Sequence, residues 1–342
     1  MCQTPYLRNY YGDLATPFDY NERVSQGIIP YEIERFSHET PVLRFERRNQ
    51  VETKTEIRPV IPFTRIVFVV AALLAAIAGI QLYILTDHTG QFFAWTILNP
   101  LSAAFLGAGY WTGVALLLFS TAERAWANIR VAIVAVCTFA PLILVATLLN
   151  LGIFHFQVPD LNPRVAAWAW MIVYVSVPFL LAIVVLLQLR TPGGDPPRGT
   201  PLPTLLRFLI GANAIIGLLV GLILFLAPLM SSNLGALLTF WPWKLTALTA
   251  QTIGVGFLSL GTASLQFLRE NSWRRGRVGT VPYVLIGLFQ LIAIARYSQY
   301  FHWESPSAWL YLLYMLAIFG GGIYSTYAAW FQRSQTSLDV SH

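Results

Sequence analysis

After residue 60 the chain becomes a succession of apolar runs, each long enough to cross the ~30 Å hydrocarbon core of a bilayer as ~20 helical residues. The runs are 64–86, 97–121, 130–151, 166–189, 205–228, 245–268, 279–299 and 308–331. Lipid offers no partner to backbone N–H and C=O groups, so all eight are predicted to be helices. A closed barrel needs ~10-residue alternating segments instead, and these runs do not alternate. Apolar residues are 56% of the chain and charged ones 11%, against soluble averages of about half and about a quarter. The expected fold is an all-α integral membrane bundle of eight transmembrane helices.

A motif recurs within this series at a separation of 147 residues. Gly107, Gly109, Glu123, Trp126, Arg130 and Val131 return as Gly254, Gly256, Glu270, Trp273, Arg277 and Val278, and Phe154-His155 falls on Phe301-His302. Apolar identities are cheap in membrane segments, but a Glu, a Trp, an Arg and a His kept in one register point to an internal duplication. The expected organisation is two four-helix repeats, 61–190 and 205–333, joined by a Gly/Pro linker at 191–204. Each repeat has an even number of spans, so the repeats run parallel, with the second and sixth helices near a pseudo-twofold axis along the membrane normal. Residues 1–60 read as an extended arm that lies on the bundle or on another membrane subunit, with a short period-two strand at 51–57. Residues 334–342 form a tail.

The net charge of +6 is a topology signal and does not point to nucleic acid. Arg44, Arg47, Arg48, Lys54, Arg58 and Arg65 precede the first span. Arg124, Arg130, Arg190, Arg198, Arg207, Arg269, Arg274, Arg275, Arg277 and Arg333 fall on the same side. The opposite loops carry little beyond Arg164 and Lys244, which by the positive-inside pattern puts both termini in the cytoplasm. The first 60 residues are polar, so no cleavable signal peptide is expected. Cys2 and Cys137 form neither a disulfide framework nor a metal motif.

Several residues are candidates for chemistry. The glycines of the second and sixth spans suit close helix packing. Trp95 and Asn99 at the start of the second span, with Trp243 and Thr246 at the start of the sixth, suit either an interfacial aromatic belt with helix caps or a ligand-binding vestibule. His155 and His302 form a symmetric pair at helix ends. They are weak candidates for haem or metal ligation, and interfacial hydrogen bonding is the ordinary role, so no cofactor is expected. Arg296, where the first repeat has Leu149, lies inside the seventh span with Gln290 six residues earlier. A charge at that depth is either part of a ligand site, helped by Gln290 and Asn150, or snorkels to the headgroups. Glu123 and Glu270 beside Arg130 and Arg277 read as surface charge clamps. No span carries a central carboxylate for proton coupling, and phosphate-loop, zinc and nucleophile-elbow motifs are absent.

The strings FAWTILNPLSAAFLGAGYW and FWPWKLTALTAQTIGVG resemble segments of a group of uncharacterised multi-pass bacterial membrane proteins. That resemblance covers residues 61–331, implies a bacterial inner-membrane location, and brings no activity, cofactor or catalytic residue with it. The functional expectation is a non-enzymatic protein, of transport type, that binds or passes a small or amphipathic molecule between its repeats. The alternatives are a structural or assembly subunit of a larger membrane complex, and a His-ligated redox subunit.

Overall fold

The computed structural model describes residues 56–230 and 236–339. The predicted arm and its strand lie outside the described residues apart from 56–60, and so does the end of the tail. Among the described residues eight helices are long and apolar enough to cross a membrane, and no strand is present. They are α1 (Pro62–Gly79), α2 (Pro100–Thr121), α3 (Arg130–Leu149), α4 (Leu161–Arg190), α5 (Thr204–Leu226), α6 (Ala247–Glu270), α7 (Thr280–Arg296) and α8 (Pro306–Asp339). This is a multi-pass membrane protein.

Local chemistry sets the helix ends. Pro62 and Pro100 start α1 and α2, where a missing N–H is no loss and φ is already helical. The Asn99 side chain accepts from Leu101 N at 2.9 Å, and Thr246 forms a capping box with Thr249 at the head of α6. Both satisfy donors that a helix start leaves free. Asn271, with φ 43°, ends α6 in the left-handed conformation, which Asn tolerates better than most residues.

The packing divides the helices into inner and outer sets. α6 is mostly buried, whereas α1 and α4 are mostly exposed, so α6 is central and the other two lie at the periphery. Within the halves α1 packs on α2, α3 on α4, α5 on α6 and α7 on α8. Between the halves α2 packs on α7 and α3 on α6, two seams that the 147-residue shift interchanges.

Glycine permits several of these contacts. A Cβ on Gly107 would stand 2.6 Å from Tyr83 N, and one on Gly221 would stand 2.8 Å from Gly254 O. Small residues let backbones approach where no hydrophobic effect drives helices together. Gly109, Gly113 and Gly256 have no atom within 4 Å of such a Cβ, so packing does not require glycine there. The segment between the halves is anchored rather than free: Arg58 N donates to Gly194 O at 2.9 Å and Gly194 N to Glu56 O at 2.8 Å.

Candidate functional site

All seven predicted ligand residues lie toward the end of the bundle that carries the aromatic loops, and all seven have protein partners. Trp95 and Trp243 are each 1% exposed. Trp95 packs on Phe93, Phe154 and Trp170, and Trp243 on Phe105, Trp241 and Tyr311. The Trp243 indole donates to Ser102 Oγ at 2.8 Å, whereas the indole N–H groups of Trp95 and Trp241 have no acceptor among the described residues. Gln290 donates to Phe105 O at 3.1 Å and accepts from the Tyr311 hydroxyl at 3.2 Å, so it joins the Trp243 cluster. Asn150 donates to Gln251 Oε1 at 2.6 Å, across from α3 to α6. Asn99 Nδ2 reaches Lys244 O at 3.4 Å. Side chains therefore fill this end of the seam.

Arg296 is exposed on the surface. Its Nη1 donates to Tyr83 O at 3.1 Å, and the guanidinium lies 4.9 Å over the Tyr297 ring. Tyr83 sits in a widened π turn, Ile80–Ile84, that continues α1. Carbonyls at such an end lack helical donors, and a cation there also suits the helix dipole. His155 bridges Thr96 Oγ1 at 3.0 Å and Phe93 O at 3.1 Å, and His302 is exposed. Among the described residues no three His, Cys, Asp or Glu side chains gather as metal ligands.

A polar network unread in the sequence joins the four helices of the second half. Asn213 on α5 donates to Ser264 Oγ and to the Tyr283 hydroxyl, both at 2.8 Å, and accepts from the Tyr314 hydroxyl at 2.7 Å. The corresponding positions 147 residues earlier are Ile66, Leu117, Val136 and Ala167. A closed network of this kind fixes one packing arrangement and leaves no group over for a ligand.

The opposite, basic end carries the predicted clamps, but their partners are exchanged between the halves. Glu123 accepts from Arg277 Nε at 2.5 Å and Nη2 at 2.6 Å, and from Asn128 at 2.8 Å. Glu270 accepts from Arg275 at 2.7 Å and from Gln266 at 2.9 Å, with Arg130 at 3.6 Å. Both Glu side chains are buried, at 6% and 5% exposure. Asp195, from the connecting segment, takes both Arg130 terminal nitrogens at 2.6 Å. Burial pushes the Asp195 carboxyl up, but the Arg130 hydrogen bonds and the charges of Arg130, Arg275 and Arg58 outweigh it and hold it below the usual carboxylate range. Arg65 adds donors to Thr121 O and Glu123 O. These acids are thus fully engaged by arginine.

The α3–α6 seam is zipped at mid-depth by Thr138 to Thr262 at 3.0 Å and Ser259 to Ala135 O at 3.2 Å. Toward the basic end it opens into a groove of about 610 Å³, lined by Val134, Thr262, Leu265, Gln266, Leu268 and Arg269. Thr262, Leu265, Gln266 and Arg269 share one face of α6 by helical spacing. The groove opens to the surface beside Leu265, which is 54% exposed. No protein-family model matches the chain, and no curated protein or solved structure matches it either.

Proposed function

We propose that this multi-pass membrane protein is non-enzymatic and binds an amphipathic molecule in the seam between its halves. The observation that supports this reading is the groove. It is apolar along Val134, Leu265 and Leu268 and carries the exposed cation Arg269 at one end, while the Thr262 hydroxyl and a Gln266 donor are already spent on Thr138, Ser259 and Glu270. Apolar walls with a charged group at one end suit an amphiphile, and this polarity runs along the axis of a membrane helix. The basic end faces the cytoplasm by the charge rule. An Arg198→Cys variant should therefore label only in inverted vesicles.

Photolabelling tests the binding reading. A diazirine-bearing lipid, activated on the purified protein, is expected to mark Val134, Leu265 or Leu268. Labels confined to the lipid-facing helices α1, α4 and α8 would overturn it.

A further inference from the structure

We infer that the occupant of the α3–α6 groove is an anionic, phosphate-bearing lipid taken from the surrounding membrane, with its headgroup held by Arg269 and Arg130. This rests on the groove being a binding site, and it names the ligand class.

The cationic mouth comes first. Arg269 is exposed and has no hydrogen bond or ion pair among the described residues. Its neighbour Glu270 cannot neutralise it, because that carboxylate already serves Arg275, Gln266 and Arg130. Arg130 stands one helical turn before Val134 of the groove wall, with its side chain 26% exposed. A guanidinium presents paired N–H donors that match a phosphate. Among the described residues no acid at this mouth is free to receive the ammonium of a zwitterionic headgroup: Glu123, Glu270 and Asp195 are all engaged. A soluble phosphate would leave Val134, Leu265 and Leu268 uncovered, whereas an acyl chain covers them. The open side at Leu265 faces lipid, so a chain enters laterally.

The related seam supplies a contrast. A shift of 147 residues carries the α6 lining onto Ala115, Leu118, Phe119, Thr121 and Ala122. There a phenyl ring stands for Gln266 and a methyl for Arg269. Only one of the two seams has both the cation and the amide, so a single lipid per chain is expected.

The anion is also coupled to the clamp. A phosphate drawn to Arg130 competes with Asp195 and Glu270 for the same guanidinium. Occupancy therefore loosens the tie between the connecting segment and α3.

Native mass spectrometry of the protein in mild detergent tests this, with phosphatidylglycerol, phosphatidylcholine and inorganic phosphate as probes. The expected result is one retained phosphatidylglycerol, preferred about fivefold over phosphatidylcholine, since one interfacial arginine contributes about that much. Arg269→Gln, at an exposed position that leaves the fold alone, should remove most of the preference, because the remaining Arg130 is shared with Asp195 and Glu270. Leu265→Trp, which fills the groove mouth, should lower retention of both lipids with unchanged thermal stability. Equal retention of the two lipids, both lowered by Leu265→Trp, would overturn the anionic assignment and leave the amphiphile reading standing. Retention untouched by Leu265→Trp would remove both. Displacement of phosphatidylglycerol by inorganic phosphate at equal concentration would overturn the lipid assignment.

Discussion

The exchanged clamp makes an unequal pair of predictions from one ion pair. Arg277→Met leaves the Glu123 carboxylate 6% exposed with only the Asn128 amide and local donors. Removing one partner of a buried pair costs ~3–5 kcal/mol, and the lower end applies because Arg277 is itself 33% exposed and admits water. Glu123→Gln instead frees an arginine that can turn to solvent, so the loss approaches that of an exposed pair, ~1 kcal/mol. The double substitution leaves no stranded charge and should cost ~2 kcal/mol, which gives a coupling of ~2 kcal/mol, within the usual range for contacting residues. Equilibrium unfolding by SDS from mixed micelles measures all four proteins. If Glu123→Gln proved as damaging as Arg277→Met, or the two were additive, the burial argument would be refuted. Charge reversal tests the exchange itself. Glu123→Arg should be rescued by Arg277→Glu, and Arg130→Glu should give no rescue.

Gly107→Ala pushes a Cβ against the Tyr83 backbone at 2.6 Å and should cost ~2 kcal/mol by overpacking. Gly109→Ala meets open space and should be neutral or up to ~1 kcal/mol more stable by helix propensity; the same SDS titration compares them. Asp195 has a depressed carboxyl, so its contribution is fully present above the unfolded carboxylate value of about 4 and is lost as pH falls through the lower folded value. Asp195→Asn should flatten the fall in stability below about pH 4, measured by thermal melts across an acid series. Arg296→Leu should cost ~1 kcal/mol through the lost cation at the end of α1 and leave lipid retention unchanged. A variant that loses lipid would return Arg296 to the site.

The helices were legible because a bilayer permits little else for eight long apolar runs. The caps at Asn99 and Thr246 were legible too, because capping is settled within four residues. Gln290 and Asn150 were singled out as polar candidates for a ligand, and their partners come from other helices: Tyr311 and the Phe105 carbonyl for one, Gln251 for the other. Spacing cannot supply those. The clamp residues could be found by their register, while the exchange of partners depends on how the basic ends of α2, α3, α6 and α7 are packed together. Arg296 was ambiguous for a local reason, since the π turn that presents the Tyr83 carbonyl has no signature in the run 64–86. The groove was the least visible feature. Gln266 and Arg269 lie on one face of α6, but whether that face meets a neighbour or a gap depends on Val134 of a helix 130 residues away.

If lining chemistry defines the lipid site, the first half can be made to acquire one. Phe119 and Ala122 hold the places of Gln266 and Arg269, and Phe119 is 45% exposed. Replacing them therefore disturbs no core. Glu123, like Glu270, is already bound by arginines of the basic end, so an added guanidinium at position 122 would not be neutralised by it. The double substitution Phe119→Gln with Ala122→Arg puts an amide and a cation at the places on α2 that match Gln266 and Arg269 of α6. The expected outcome is a second retained phosphatidylglycerol in native mass spectra. A stoichiometry that stays at one, in a variant that melts like the parent, would refute the claim that these two positions decide which seam is occupied. The depth of the α3–α6 groove would then be the deciding factor.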